Sequence, residues 1–527
     1  MPDKKTKQRS RSTVPFGEPD GQRAEIEDSF INFQSRSGWG GIATGERDAE
    51  TRLLIGRKGS GKTVYMRRLR EIAAKEPSQH ADDVQYVPPD TDTILNFSRL
   101  ISGNESQLEW WTKLWDRCIL RSVASHILAG ALSTYVDAET LDRLRQFQQT
   151  DRGRLLRAFN GPVSVYRQMH EIVSSYHSRN SLFDFLQSYY WADFEGILAG
   201  ALQKAPPVFL FLDALDEHFE RSPRWWLKCQ EGLFCETVRL QRSNQWNRLH
   251  LVVSLRDIVH ASIMRSEHRS RFTTDPRIKM LNWHRRSLEE FLAVKLSRLE
   301  KQYVVAHSNG SRTVANWLGM ECIPNPRRGT EEPILQYLLR HTRMLPRDLV
   351  ILGNSLCECI ERREETERSF DEDVRRCVHE NAAVFGGEQL QICANEIVSN
   401  YMPRCADDNC RDAFTGNDDF TASVASELEA LISKIGIDRF PKSTIEANQG
   451  AAEAEFGCDV FSLMWRNGLI GYIDGSSANE RSIFYDQDSS NSFRLPSDCK
   501  EYVFHPIAID ATGIRAVGHR PVVPYSG

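Results

Sequence analysis

Arg52-Leu-Leu-Ile55-Gly56-Arg57-Lys58-Gly59-Ser60-Gly61-Lys62-Thr63 is the stretch from which the rest of this chain is read outward. Leu53 to Ile55 form a short apolar run suited to a buried strand, and Val64 to Ala74 follow with helical patterning. Between them lies the spacing G-x-x-x-x-G-K-[ST], in the strand–loop–helix setting that a phosphate-wrapping loop needs. Glycines let backbone N–H groups curl around phosphate oxygens where a side chain would block the approach. The helix start adds its partial positive charge. The expected ligand is therefore a nucleotide with Mg²⁺, cradled by Gly56, Arg57, Lys58, Gly59, Ser60 and Gly61, its base not specified by the loop. Lys62 reaches the β- and γ-phosphates in this reading, and the Thr63 hydroxyl joins the Mg²⁺ shell.

Hydrolysis needs a carboxylate at the end of a neighbouring buried strand. Val208-Phe-Leu-Phe-Leu212 supplies the apolar run and Asp213 the acid, the second expected Mg²⁺ residue. Ala214-Leu215-Asp216-Glu217 follow, and the acidic pair either works on water or caps the next helix. A third run, Leu249-His-Leu-Val-Val-Ser254, ends in Leu255-Arg256-Asp257. An arginine there can stabilise charge on a transferred phosphoryl group; a surface ion pair with Asp257 is the plainer alternative.

Short apolar runs at 52–55, 85–87, 208–212, 250–254 and 278–281 alternate with helical patterns. That alternation predicts a parallel sheet covered by helices on both faces. Residues 1–23 read as a flexible basic tail and 24–280 as the α/β core. A helical insertion at about 95–205 carries Trp110, Trp111 and Trp115 on one helix flank, read as core packing or a ligand platform. Residues 281–385 read as helices alone, one of them starting at Ser287-Leu-Glu-Glu290 by capping-box spacing. Residues 386–527 read as helices followed by a small β-hairpin, the pattern of a winged helix.

Composition bounds the rest. The 527 residues allow three or four structural units by length alone. An apolar fraction of 40% and a charged fraction of 26% exclude a wholly disordered or collagen-like chain. Net charge is −5, so no global field attracts polyanions. The stretch from Cys118 to Val136 is too charged to span a membrane. Met1 to Ser12 are basic but lack a signal's apolar segment, so the cytoplasm is expected. Twelve cysteines without zinc-ligand spacing read as reduced thiols. No H-E-x-x-H or G-x-S-x-G stands in the chain.

Phe211-Leu-Asp-Ala-Leu-Asp-Glu217 resembles the acidic strand of NACHT-branch STAND proteins. Together with the phosphate loop, the Ser254-x-Arg256 strand end and Thr342-Arg-Met-Leu-Pro346-Arg347-Asp348, it makes residues 24 to about 355 resemble a STAND/AAA+-type P-loop ATPase. The loop Gly-Arg-Lys-Gly-Ser-Gly-Lys, the Pro-Arg-Asp segment and Tyr502-Val-Phe-His-Pro506 are similar to those of bacterial P-loop ATPases ending in a winged helix. That group is often suspected in defence against phage or mobile DNA.

By this resemblance Asp216 or Glu217 polarises water, Arg256 senses the γ-phosphate, and Pro346 or Arg347 faces the nucleotide from a helical lid. The implied function is a regulatory ATP-hydrolysing switch in a multi-protein bacterial defence or signalling system. Its effector is a protein partner on a separate chain, and a homo-oligomer is implied. The alternatives are a DNA-binding ATPase of the origin-binding or loader type and a non-hydrolysing nucleotide-binding scaffold.

Overall fold

The computed structural model describes residues 14–26, 53–76, 78–87, 90–102, 107–149, 161–213, 223–243, 248–265, 278–306, 313–364, 368–400, 417–475, 480–485 and 493–525. Residues 32–281 with 394–425 form one compact unit; residues 1–31, 282–393 and 426–527 form another.

The first unit opens with β1 (Leu53–Gly56), α1 (Lys62–Lys75) and β2 (His80–Gln85). Six helices follow: α2 (Thr91–Ile101), α3 (Gln107–Ala129), α4 (Ala138–Gln149), α5 (Val165–Ser175), α6 (Arg179–Gln187) and α7 (Tyr190–Lys204). Then come β3 (Val208–Leu212), α8 (Pro223–Ser243), β4 (Leu249–Arg256), α9 (Asp257–Arg265) and β5 (Ile278–Met280). The sheet order is β2-β3-β4-β1-β5, and every pairing is parallel. Every residue of β1 and β4 is buried, as two-face coverage by helices demands of central parallel strands. The fold is thus α/β with a parallel sheet and many helices.

One strand is misplaced by the sequence reading. β2 spans His80–Gln85, not 85–87, because His-Ala-Asp-Asp-Val-Gln pairs only with β3 at the sheet edge, where polar side chains are tolerated. The three tryptophans are packing groups. Trp111 is fully buried against Gly232 of α8, where even a Cβ would come within 2.5 Å of it. Trp115 Nε1 donates to the Cys229 carbonyl at 2.8 Å, and Trp110 stacks on Phe183. Side-chain caps set three of the helix starts: Asp90 accepts from Thr93 N (2.6 Å), Ser164 from Arg167 N (3.2 Å) and Ser178 from Ser181 N (3.3 Å).

The second unit contains α10 (Arg285–Arg298), α11 (Val314–Leu318), β6 (Cys322–Asn325), β7 (Thr330–Pro333), α12 (Ile334–Arg340), α13 (Pro346–Glu361) and α14 (Phe370–Asn400). It continues with α15 (Asn417–Ile435), β8 (Arg439–Pro441), α16 (Lys442–Phe456), α17 (Val460–Arg466), β9 (Ile470–Asp474), β10 (Arg481–Ile483), β11 (Glu501–Phe504), α18 (Pro506–Thr512) and β12 (Pro524–Tyr525). Residues 394–400 and 417–425 of α14 and α15 are counted with the first unit. A second sheet runs β12-β10-β9-β11-β8.

Three expectations are corrected here. Residues 281–385 are not helices alone: β6 and β7 pair antiparallel around a turn in which Gly329 takes φ +64°. The helix expected at Ser287 starts earlier, with His284 as its cap; His284 N donates to Ser287 Oγ at 3.2 Å. The expected tail is packed over its described part. Phe16 is buried, stacks on Trp317 at 5.2 Å and lies against Gly353, while Asn354 pairs with Phe16 N and the Gly17 carbonyl.

Candidate functional site

Gly59 and Gly61 take φ +89° and +91°, a region open to glycine at little steric cost. Gly61 is also the residue on which α1 begins, with ψ 15°. A Cβ at Gly56 would come within 2.5 Å of Ser60 Oγ and 3.1 Å of Leu281, so the loop closes on itself only with glycine there. Ser60 N donates to the Arg57 carbonyl at 3.1 Å, tightening the turn. Lys62 is folded back, its Nζ donating to the carbonyls of Gly56 (3.0 Å) and Arg57 (3.2 Å). Arg57, Lys58, Gly59 and Thr63 are partly exposed, while Gly56 and Ser60 are buried.

Sheet register brings the other residues to the same edge. Gly56 pairs with Arg256, and Leu212 pairs with Val253, so Asp213 stands level with Ser254. Ser254 and Arg256, two apart on one strand, project to the same face. Parallel strands open their ligand crevices at their C-terminal ends, which is where these residues converge.

Asp213 is 2% exposed and held at three points. Its backbone N donates to the Gln85 carbonyl at 3.0 Å, its carbonyl accepts from Tyr166 Oη at 2.9 Å, and Oδ1 accepts from Ser254 Oγ. Oδ2 is buried and has no hydrogen-bond partner. A buried carboxylate oxygen left bare is costly, and a hard cation is its natural complement. That oxygen fits Mg²⁺, and Thr63, the other residue expected to hold the ion, is partly exposed at the start of α1.

The chain matches no protein-family model, no curated protein and no solved structure.

Arg256 is buried at the end of β4, and Asp257 instead faces Arg57, 3.8 Å away. Tyr86, just past β2, was not singled out from the sequence. Burial pushes its phenol up to about 12, with Arg67 opposing and the Asp213 carboxylate adding, so it stays protonated beside the site. Neither Tyr86 nor Tyr166 belongs to a spacing motif; Tyr86 follows β2, and Tyr166 reaches the Asp213 carbonyl from α5. Asp216 and Glu217 lie outside the described residues.

Pro346 and Arg347 lie in the other compact unit, at the first turn of α13, with Pro346 buried and Arg347 partly exposed. The neighbouring residues have a clear local task. Asp348 accepts from Arg343 at its backbone N (2.8 Å), Nε (2.9 Å) and Nη2 (2.6 Å), while Arg343 Nη1 reaches Glu388 at 2.8 Å. This buried lock surrounds Met344, whose φ of +59° is unusual for a side-chain-bearing residue.

Among the described residues no helix is long and apolar enough to cross a membrane. The described cysteines are free thiols.

Proposed function

We propose that this chain binds ATP with Mg²⁺ and hydrolyses it, as a regulatory switch of the STAND/AAA+ type. The observation that carries the reading is the convergence on one sheet edge of a glycine-conformation loop opening a helix and a buried aspartate whose Oδ2 is bare. In this reading the backbone of 56–61 cradles the phosphates and Lys62 exchanges its two carbonyl partners for β- and γ-oxygens. Thr63 and Asp213 hold Mg²⁺, which supplies charge neutralisation to the phosphates. Arg256 stabilises charge on the transferred group, Asp216 or Glu217 orients water, and Pro346 or Arg347 reads the nucleotide from the lid. The order β5-β1-β4-β3 supports it, since β4 then stands between the loop strand and the acidic strand.

The winged-helix reading of the C-terminal part rests on β8 followed by α16 and α17, with β11 pairing both β9 and β8. Six of the seven residues of α17 are buried, leaving only Arg466 toward the surface. A helix that reads duplex must offer its side chains to a groove, so we favour a protein-contacting module over a DNA-gripping one. The role in defence or signalling, the separate effector chain, the homo-oligomer and the cytoplasmic setting belong to the same proposal.

The test is steady-state ATP hydrolysis by wild type, Lys62→Ala and Glu217→Gln, each with and without duplex DNA. Loss of turnover in both variants without a DNA effect is the expected result. Strong stimulation by DNA would favour the loader reading. ATP binding without turnover in wild type would favour the scaffold.

A further inference from the structure

Away from the sheet edge, three chemistry-bearing side chains meet inside the second unit. His341 caps α12, His379 lies about a third of the way along α14, and Asp510 lies on α18. One ligand atom from each falls within 4.8 Å of the others. His379 Nδ1 is 2.9 and 3.0 Å from the two Asp510 oxygens, and His341 Nε2 is 3.7 Å from Asp510 Oδ2. Three ligands around a tetrahedral zinc ion sit about 3.3 Å apart when each bond is about 2.0 Å. The cluster is therefore close to that spacing already. His341 and Asp510 also line a cavity of about 20 Å³, room for one atom or one water.

The atoms behind the ligands are arranged as metal-binding histidines require. A ligating imidazole donates its other ring N–H to a carbonyl or similar acceptor, which fixes tautomer and orientation. His341 Nδ1 is 2.7 Å from the Tyr337 carbonyl, which leaves Nε2 with its lone pair toward Asp510. His379 Nε2 is 3.1 Å from the Tyr337 hydroxyl, so moving the ring proton to Nε2 frees Nδ1 for a metal. A single residue thus orients both rings. Three arginines line the same cavity without closing the site, and Arg328 is spent on Asp438 and the Val517 carbonyl (2.7 Å). Arg340 is spent on Glu332 (2.7 and 2.8 Å), and half-exposed Arg327 takes only Asp510 Oδ1 (2.6 Å).

We propose that His341, His379 and Asp510 bind one Zn²⁺ ion, with water as fourth ligand, and that the ion staples α12, α14 and α18 together. Imidazole and carboxylate together suit zinc better than Mg²⁺ or Ca²⁺, which prefer oxygen alone. No spacing rule could have found the site, because its residues come from three distant segments.

The test titrates Co²⁺ into chelator-stripped full-length protein without nucleotide or Mg²⁺. One equivalent should bind with the visible absorption of four-coordinate cobalt and no thiolate charge-transfer band, and Zn²⁺ should displace it. His379→Ala and Asp510→Ala should abolish that spectrum. Tyr337→Phe, which removes only the hydroxyl behind His379, should weaken binding by roughly 10- to 100-fold. Zn²⁺ should also raise the unfolding temperature of wild type and not of His379→Ala. No saturable binding, a thiolate band, or unchanged binding in folded His379→Ala would each overturn the proposal. If neither alanine variant folds, the wild-type spectrum and the Tyr337→Phe shift decide it.

Discussion

Ser254 is the residue on which the geometry of Asp213 depends. It donates to Oδ1 from the neighbouring strand, and without it both oxygens of a carboxylate that is 2% exposed lack a donor. Ser254→Ala should therefore lower stability by about 1–3 kcal/mol, read as a shift in the urea midpoint. Asp213→Asn removes the buried charge and should be stability-neutral or better while abolishing Mg²⁺-dependent turnover, a split that a purely structural aspartate would not produce. A second residue effect concerns pH. Burial lowers the His260 pKa to about 4, with Asp257 opposing. Between the unfolded value near 6.5 and that value, the unfolded chain takes up a proton that the folded chain refuses. Stability should thus fall as pH drops from about 6.5 toward 4, by up to about 1.4 kcal/mol per pH unit. His260→Gln should shrink the difference between urea midpoints at pH 7 and pH 5. Asp213 and Arg256 were legible in the sequence because each ends an apolar run. Tyr166 was not, because it reaches Asp213 from a helix 47 positions away whose own pattern says only that one face is buried.

Elements were legible where burial wrote a pattern and illegible where an edge or a turn did the work. β1, β3 and β4 are apolar runs because helices cover both faces, and their bounds were read to within a residue or two. β2 carries two aspartates and one neighbour, so its composition resembles a loop. The β6–β7 pair has only four residues per strand, and prolines at 324, 326 and 333 hide it. The segment around Phe16 escaped for another reason: one aromatic residue between Pro15 and Gly17 has no period. Yet Phe16 fills a slot between Trp317 and Gly353 and belongs to the same core as α10, α12 and α13. Phe16→Ala should cost about 3–5 kcal/mol, as loss of a buried ring usually does. Chemical unfolding followed by tryptophan fluorescence measures it. A change under about 1 kcal/mol would mean that the segment merely rests on the surface.

At the scale of the whole molecule, a switch requires that nucleotide bind two states of the chain unequally; tight binding alone shifts nothing. The sheet edge explains only local effects. ATP with Mg²⁺ should slow amide exchange at 56–63, at Asp213 and at 254–256, where loop and strand ends meet the ligand. A lid that reads the nucleotide demands a second, separate footprint at Arg347 and Asp348. There the amides of Arg347 and Asp348 precede the first intrahelical bond of α13, Leu349 N to the Leu345 carbonyl, and such amides exchange readily unless something covers them. Exchange measured on wild type with and without nucleotide should show both footprints. Lys62→Ala should show neither, because loss of the phosphate contact removes the ligand itself. Ser254→Ala supplies the control, since a nick in the Asp213 shell weakens the first footprint and, if the two are coupled, the second in proportion. Protection confined to the sheet edge in wild type would return Pro346 and Arg347 to the ordinary task of starting a helix, with Arg343 and Asp348 holding its turn. On the proposed reading the chain would then be an ATPase whose nucleotide state goes unread by the second unit.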